Sequence, residues 1–373
     1  MARQLPLVHP RQAATLTEKT KRGSGSMFSH AVFASGHPVS RRAALGLLGT
    51  PALVPAARAQ PQPLRSIVFV QPSPSAINSY AIQVGIGEGY FREEGLSVRS
   101  EAVNGSSPVL QALASGQAQF GRPGPAPVLR ARARGADVVF LYNSLPHSSF
   151  GILVRQNSAY RTPDHLRGKV IGVGTADGAE VGFARAILND LGMQEPRDYR
   201  FIPVGDGGPA VAGFLRGDIE AYVGATADAA IMNHRGMAVR DITPDKYQTF
   251  FGNGFAAMRN FIDGNPQVVE GFGRSLVRAT RFANDPANRE KVLRHLAAGN
   301  PQELEDRRFA NALLDAVLQK SQPHDPAKGL GYQDPAHWEA WHRSLIESRE
   351  LDAPLPDLSA AYTNRFVEAW NRR

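Results

Sequence analysis

An arginine placed directly after an apolar strand asks for a partner of opposite charge. In "LASGQAQFGRPG", residues 113–124, the run Gln117-Ala118-Gln119-Phe120 predicts a strand ending at Gly121. Arg122, Pro123 and Gly124 follow, and they neither extend a strand nor start a helix comfortably. A guanidinium offers planar donors that grip a carboxylate or sulfonate bidentately. Arg122 is therefore expected to hold an anionic ligand group, with a salt bridge between elements or a surface position as the bland alternative. "NGSSP", residues 104–108, reads as a strand-to-helix turn. Its free backbone N–H groups and the Ser106 and Ser107 hydroxyls suit an acceptor-binding nest, unless the serines are simply helix caps. "GVGTADGAE" supplies Thr175, Asp177 and Glu180 but lacks the Gly-Lys-Ser/Thr ending of a phosphate loop. Asp177 suits a helix cap, whereas a Glu180 facing a cleft would favour a ligand with an amine or N–H donor. Thr226 and Asp228 are candidates for polar readout. "QPSPSAINSY" offers Ser75, Asn78 and Tyr80, the last as an aromatic wall, and Asn143 ends another strand.

Other chemistries find little support. The chain has no cysteine, which excludes disulfides, thiolate metal sites and a cysteine nucleophile. His337 and His342 are five residues apart and do not share a helix face, and no His-Glu-x-x-His pattern occurs. His147 adjoins Ser148, but sequence neighbours rarely form a dyad and no Gly-x-Ser-x-Gly elbow is present. No catalytic residue, metal site or cofactor is assigned.

The elements that would position these residues alternate. From Leu64 on, β-like runs ("SIVFV", "SVRSEAV", "QAQFG", "DVVFLYN") alternate with helical segments near 76–91, from Ser107 and near 126–134. The pattern resumes with "KVIGVG", "YRFIPVG" and "IEAYVG", separated by helices at 179–191, 209–216 and 227–235. Such alternation predicts parallel strands with crossover helices. The halves share a ruler: residues 110–135 align without gaps on 211–236, placing Gly116 on Gly217, Gly135 on Gly236, and Thr226 and Asp228 on Pro125 and Pro127. "HSSFG" (147–151) and "FFGNGFAAM" (250–258) are expected to be the two crossings between lobes, with Gly151, Gly252 and Gly254 as hinge points. Beyond Asn260 the chain is expected to be helical, with Pro266, Pro301 and Pro335 near helix starts. Phe309, Leu313, Leu314, Val317 and Leu318 form a packing stripe, and these late helices are expected to pack on the first lobe.

The net charge of +8 resides almost wholly in residues 1–59, which hold eight Lys/Arg and one Glu, leaving +1 from Gln60 onward. A nearly neutral body without a basic stripe argues against nucleic-acid binding. "SRRAALGLLGTPALVPAARAQ" reads as a twin-arginine-like export signal: Arg41-Arg42, a short apolar segment, then a small-residue cleavage site at Ala57-Arg58-Ala59. General secretion is the other route. Met27 is a plausible true start, which would make residues 1–26 an artefact. The expected location is the periplasm, as a soluble protein without a lipid anchor.

"GYFREEGLSVRSEAVNGSSPVLQALASGQAQFG", "DHLRGKVIGVGTADGAE" and "FLRGDIEAYVGAT", in this order, resemble the nitrate/sulfonate/taurine-type substrate-binding proteins of ABC importers, a superfamily that also binds thiamine precursors. "NPQVVEGFGRSLVRATRFANDP" and "YTNRFV" match its late helices. The resemblance implies an α/β, two-lobed periplasmic-binding-protein fold of the type II, Venus-flytrap kind, with hinge crossovers and C-terminal helices. It places the Ser106–Ser107 loop at the cleft. Residues 60–152 with 253–373 would form lobe 1, and 153–252 lobe 2. The implied function is capture of a small organic solute (a sulfonate, a carboxylate or a heteroaromatic such as a pyrimidine) for an ABC permease with a separate ATPase, by a monomer. Enzyme branches of the superfamily use cysteine, which this chain lacks. The alternatives are a hydrolase or lyase on the same scaffold, using Glu180 or His147, and a receptor for a membrane sensor.

Overall fold

The computed structural model describes residues 63–372 except 149, 248 and 249, and it leaves the side chain of residue 227 undescribed. The expected export signal, its cleavage site and the alternative start lie outside the described residues. Among the described residues ten strands alternate with helices: β1 (Arg65–Gln71), β2 (Leu96–Ala102), β3 (Phe120–Gly121), β4 (Val138–Tyr142), β5 (Phe150–Arg155), β6 (Lys169–Val173), β7 (Tyr199–Pro203), β8 (Ala221–Ala225), β9 (Val239–Asp241) and β10 (Phe255–Met258). The helices are α1 (Tyr80–Gly87), α2 (Tyr90–Glu93), α3 (Ser106–Ala114), α4 (Pro125–Ala133), α5 (Ala179–Asp190), α6 (Gly208–Arg216), α7 (Thr226–His234), α8 (Arg259–Gly264), α9 (Pro266–Asn284), α10 (Arg289–Gly299), α11 (Arg307–Lys320), α12 (Pro335–Glu347) and α13 (Val367–Asn371). No helix among the described residues is long and apolar enough to cross a membrane.

Two five-stranded sheets result, ordered β2-β1-β3-β10-β4 and β7-β6-β8-β5-β9. They share one topology. In each, three parallel strands are joined by helices, and the fourth strand runs antiparallel because it has crossed from the other sheet. The 101-residue ruler is visible in the structure, since α4 and α7 occupy corresponding nine-residue spans. Gly116, Gly135, Gly217 and Gly236, which end the paired helices, all have φ between 74° and 89°. That left-handed backbone costs glycine little and other residues more.

The expected division at 152/153 falls inside β5, and every residue of this strand belongs to the second sheet. The outward crossing therefore precedes Phe150. The return runs beside it: Gly252 N–H donates to the Leu145 carbonyl (2.9 Å) and Ser144 Oγ donates to the Asn253 carbonyl (2.6 Å). Gly151 is not a hinge point. It pairs with Gly224 within β5–β8, and a Cβ there would overlap the Asp241 carboxylate.

The late helices also depart from expectation. α9, α10 and α13 pack on the first lobe, but α12 packs on both α4 and α5, and α11, whose Leu313, Leu314, Val317 and Leu318 join the first-lobe core, also packs on α7 of the second lobe. Glu350, just past α12, pairs with Arg130 of α4 and with Arg185 of α5 (3.2 Å). Trp338 of α12 is fully buried against Phe140 and Phe251 and stacks on Tyr362, so the last helices brace the crossings.

Candidate functional site

Parallel strands direct their carboxyl ends and the following helix starts to one edge of a sheet, where α/β proteins bind ligands. Here the two such edges face each other across a cavity of about 600 Å³. This volume lies within the range of small-molecule sites, about 300–1,000 Å³. One wall comes from the loops after β1, β2 and β3, with Ser75, Asn78, Gly105, Ser106 and Arg122. The opposite wall comes from the loops after β6, β7 and β8, with Thr175, Glu180, Asp206, Thr226 and Asp228. A third side is closed by the segment containing Glu303 and Asp306 and by Phe309, Leu313 and Val317 of α11.

Arg122 is the most unusual of these. Its side chain is buried, it forms no ion pair among the described residues, and its Nε has no hydrogen-bond partner. The backbone fixes it: its N–H donates to the Val70 carbonyl (2.9 Å), and its carbonyl accepts from Asn253 Nδ2 (3.2 Å). Burial lowers its pKa to about 10. A buried guanidinium that loses water without gaining a counter-charge destabilises the fold, so its retention at a cavity wall points to a ligand.

The opposite wall is acidic. Asp228, buried, accepts N–H bonds from Gly207 (2.9 Å) and Ala225 (2.8 Å), tying two wall loops together. Asp206 Oδ1 accepts from Tyr222 Oη (3.0 Å), and Glu180 Oε1 accepts from Thr175 N–H (3.3 Å). A Cβ on Gly174 would overlap Asp206 Oδ1 and lie 3.3 Å from Glu180 Oε1, so glycine there lets the two carboxyl groups approach. Burial, then the charges of Asp206 and Asp177, raise the Glu180 pKa to about 7, and burial with the Asp206 charge raises that of Asp228. Between pH 4.5 and 7 the folded protein thus holds a Glu180 proton that the unfolded chain has released. Stability must then fall as pH rises through that window. Ligand-free protein is expected to lose up to about 3 kcal/mol from this group. Melting curves at pH 5 and pH 8 would register it, and Glu180→Gln should shrink the difference, leaving the share that Asp228 contributes.

Eight of the twelve expected residues line the cavity: Ser75, Asn78, Ser106, Arg122, Thr175, Glu180, Thr226 and Asp228. The other four do not. Tyr80 is not an aromatic wall; it is buried in the first lobe, its hydroxyl bonding Ser321 Oγ (2.9 Å). Asn143 is also buried, its N–H donating to the Gly331 carbonyl (3.1 Å). Ser107 lies in the first turn of α3 and does not line the cavity. Asp177 is exposed outside the cavity near Gly105 and does not cap α5, whose N-cap is Gly178 with no side-chain bond. Nor does Ser106 cap α3; its Oγ accepts from Gly124 N–H (3.2 Å) and links two loops of the first wall. His147 lies outside the cavity, and Ser148 Oγ donates to the Phe150 carbonyl, so they form no dyad.

Several lining residues escaped the sequence reading. Asp206 stands on Gly105 by the 101-residue ruler, and extending the repeat by a few residues would have flagged it. Glu303 accepts N–H bonds from Ala76 (2.7 Å) and Ile77 (3.1 Å), a pairing with no local signal. At the mouth His234 Nε2 meets Asp306 Oδ2 at 2.7 Å, joining α7 to the start of α11.

Comparison with known proteins agrees with this architecture. Among solved structures, a protein of Bordetella bronchiseptica RB50 is 19% identical, with 82% of this chain and 96% of that one covered and a TM-score of 0.67. The periplasmic aliphatic sulphonate binding protein of Escherichia coli is 16% identical over 80% and 91% of the two chains, with a TM-score of 0.61. The alkanesulfonate-binding protein of Xanthomonas axonopodis pv. citri, bound to MOPS, is 19% identical over 82% and 99%, also at 0.61. These likenesses show the periplasmic-binding-protein fold. No curated protein sequence matches the chain. The model of the family described as NMT1/THI5 like matches residues 76–288, more than half of the sequence, and the chain belongs to that family.

Proposed function

We propose that this chain is the substrate-binding component of an ABC importer. It captures a small organic solute bearing a sulfonate or carboxylate between its two lobes and delivers it to a permease driven by a separate ATPase. The observation that carries this reading is Arg122, buried and without a counter-ion on the wall of a cavity between two sheets. The neighbours whose names state a function are binding proteins, which favours capture over chemistry. The arginine-paired leader and the absence of cysteine support export to the periplasm without a lipid anchor. Lobe 1 comprises residue 63 to the crossing before Phe150, and the chain after the return; lobe 2 lies between them. Closure on the solute shifts a population toward the form that the permease reads.

Native mass spectrometry of freshly purified protein should show a retained small molecule. Adding that compound at about 100 times its dissociation constant should stabilise the fold by about 2.7 kcal/mol. The compound must come off chemically unchanged; recovery of a transformed product would replace capture with catalysis.

A further inference from the structure

The cavity is charged on both sides, and with opposite signs. Its lining holds six carboxylates, from Glu180, Asp206, Asp228, Glu303, Glu305 and Asp306, against three Lys/Arg side chains. Of those cations Arg122 stands on the first wall, while Arg235 lies over Gly208 on the second and forms no ion pair with the carboxylates among the described residues. A solute carrying only an anionic group would satisfy Arg122 and leave the second wall desolvated and uncompensated as the lobes close. That penalty is steep for buried charge.

We propose that the solute is a zwitterion, its anionic end on Arg122 and a protonated nitrogen on the pocket formed by Asp206 and Glu180. This rests on the importer reading above and adds the charge of the ligand to it. Two independent features meet here. Arg122 is buried with an unpartnered Nε at the cavity, which calls for a ligand. On the facing wall Gly174 leaves room for Asp206 Oδ1 and Glu180 Oε1 to converge, each accepting one hydrogen bond (from Tyr222 Oη and from Thr175 N–H), whereas both oxygens of Asp228 are taken by backbone N–H groups and serve as scaffold. A nitrogen with two or three N–H donors bridges two converging carboxylates through charge-assisted bonds, which a hydroxyl cannot match. The raised pKa of Glu180 fits a group that lacks its cation in the ligand-free state. The wall also rejects inorganic dianions by repulsion, so the second wall sets specificity while Arg122 sets anchorage.

The test compares matched pairs on the mature protein: 3-aminopropane-1-sulfonate with 3-hydroxypropane-1-sulfonate, and 3-aminopropanoate with 3-hydroxypropanoate, by calorimetry and thermal shift at pH 7.5. The amine of at least one pair is expected to bind tenfold or more tighter than its hydroxyl partner. Asp206→Asn and Glu180→Gln, each checked for an unaltered far-ultraviolet spectrum, should bring amine and hydroxyl within threefold of each other. Equal binding of amine and hydroxyl by the unaltered protein would overturn the zwitterion and leave the importer reading standing. Discrimination that persists in both variants would overturn the assignment to these carboxylates. Binding of no member of either pair, with the protein folded, would overturn the zwitterion, and the importer reading would then be judged by the retained molecule that native mass spectrometry finds.

Discussion

Arg122→Met is expected to abolish stabilisation by the captured solute while leaving the ligand-free protein at least as stable as before. The two halves of this result have one cause. In the ligand-free fold the guanidinium is buried, its Nε unpartnered, with no carboxylate in ion-pair range among the described residues, and burial lowers its pKa to about 10. Removing a charge that has lost its water and found no partner relieves a penalty, and methionine refills most of the volume. With ligand present the balance reverses, because the arginine then gains a paired, charge-assisted contact. At about 100 times the wild-type dissociation constant the loss amounts to about 2.7 kcal/mol, the whole linkage term. Melting curves with and without solute separate the halves. Undiminished stabilisation in the variant would remove Arg122 from the site, and a large drop in ligand-free melting temperature would make it a structural residue.

What the sequence reveals about this molecule is the part with a short range. Strand-helix alternation, the left-handed glycines and the 101-residue ruler are local, and they recur in α3–β3–α4 and α6–β8–α7 at matching positions. Because ligand-facing loops follow parallel strands, locating Arg122, Ser106, Thr175 and Glu180 required only the strand ends. What stayed hidden depends on distant partners. Tyr80 opens α1, and nothing nearby shows that its hydroxyl will meet Ser321 on α11. Glu303 reaches the loop after β1 from more than 220 residues away, and His234 finds Asp306 across the mouth. The stripe on α11, expected to serve packing, does so through Leu314 and Leu318, whereas Phe309, Leu313 and Val317 also line the cavity. Periodicity identifies a buried face and cannot say whether protein or ligand buries it.

The second large effect concerns closure. Gly124 precedes α4 on the first wall, and Ala179 opens α5 on the second. A Cβ on Gly124 would overlap that of Ala179, so the lobes meet here only because the position has no side chain. A similar approach recurs nearby, where a Cβ on Gly182 would stand 3.3 Å from the Ala126 methyl. Gly124 has a φ of −80°, which any residue adopts, so a substitution need not strain its own loop. Gly124→Val is therefore expected to leave each lobe folded and to act as a wedge between them. Overpacking at a close contact costs about 1–3 kcal/mol, and the expectation is that this cost weighs on the close approach of α4 and α5 seen here more than on any more open arrangement. Solute affinity should drop about 5- to 150-fold, with Gly124→Ala at the mild end of that range. Small-angle scattering supplies the structural readout: the compaction that solute induces in the unaltered protein should be lost or reduced in the valine variant. Wild-type affinity with full compaction would mean that the lobes can close without bringing these two loops together, and the cavity seen here would not be the binding geometry.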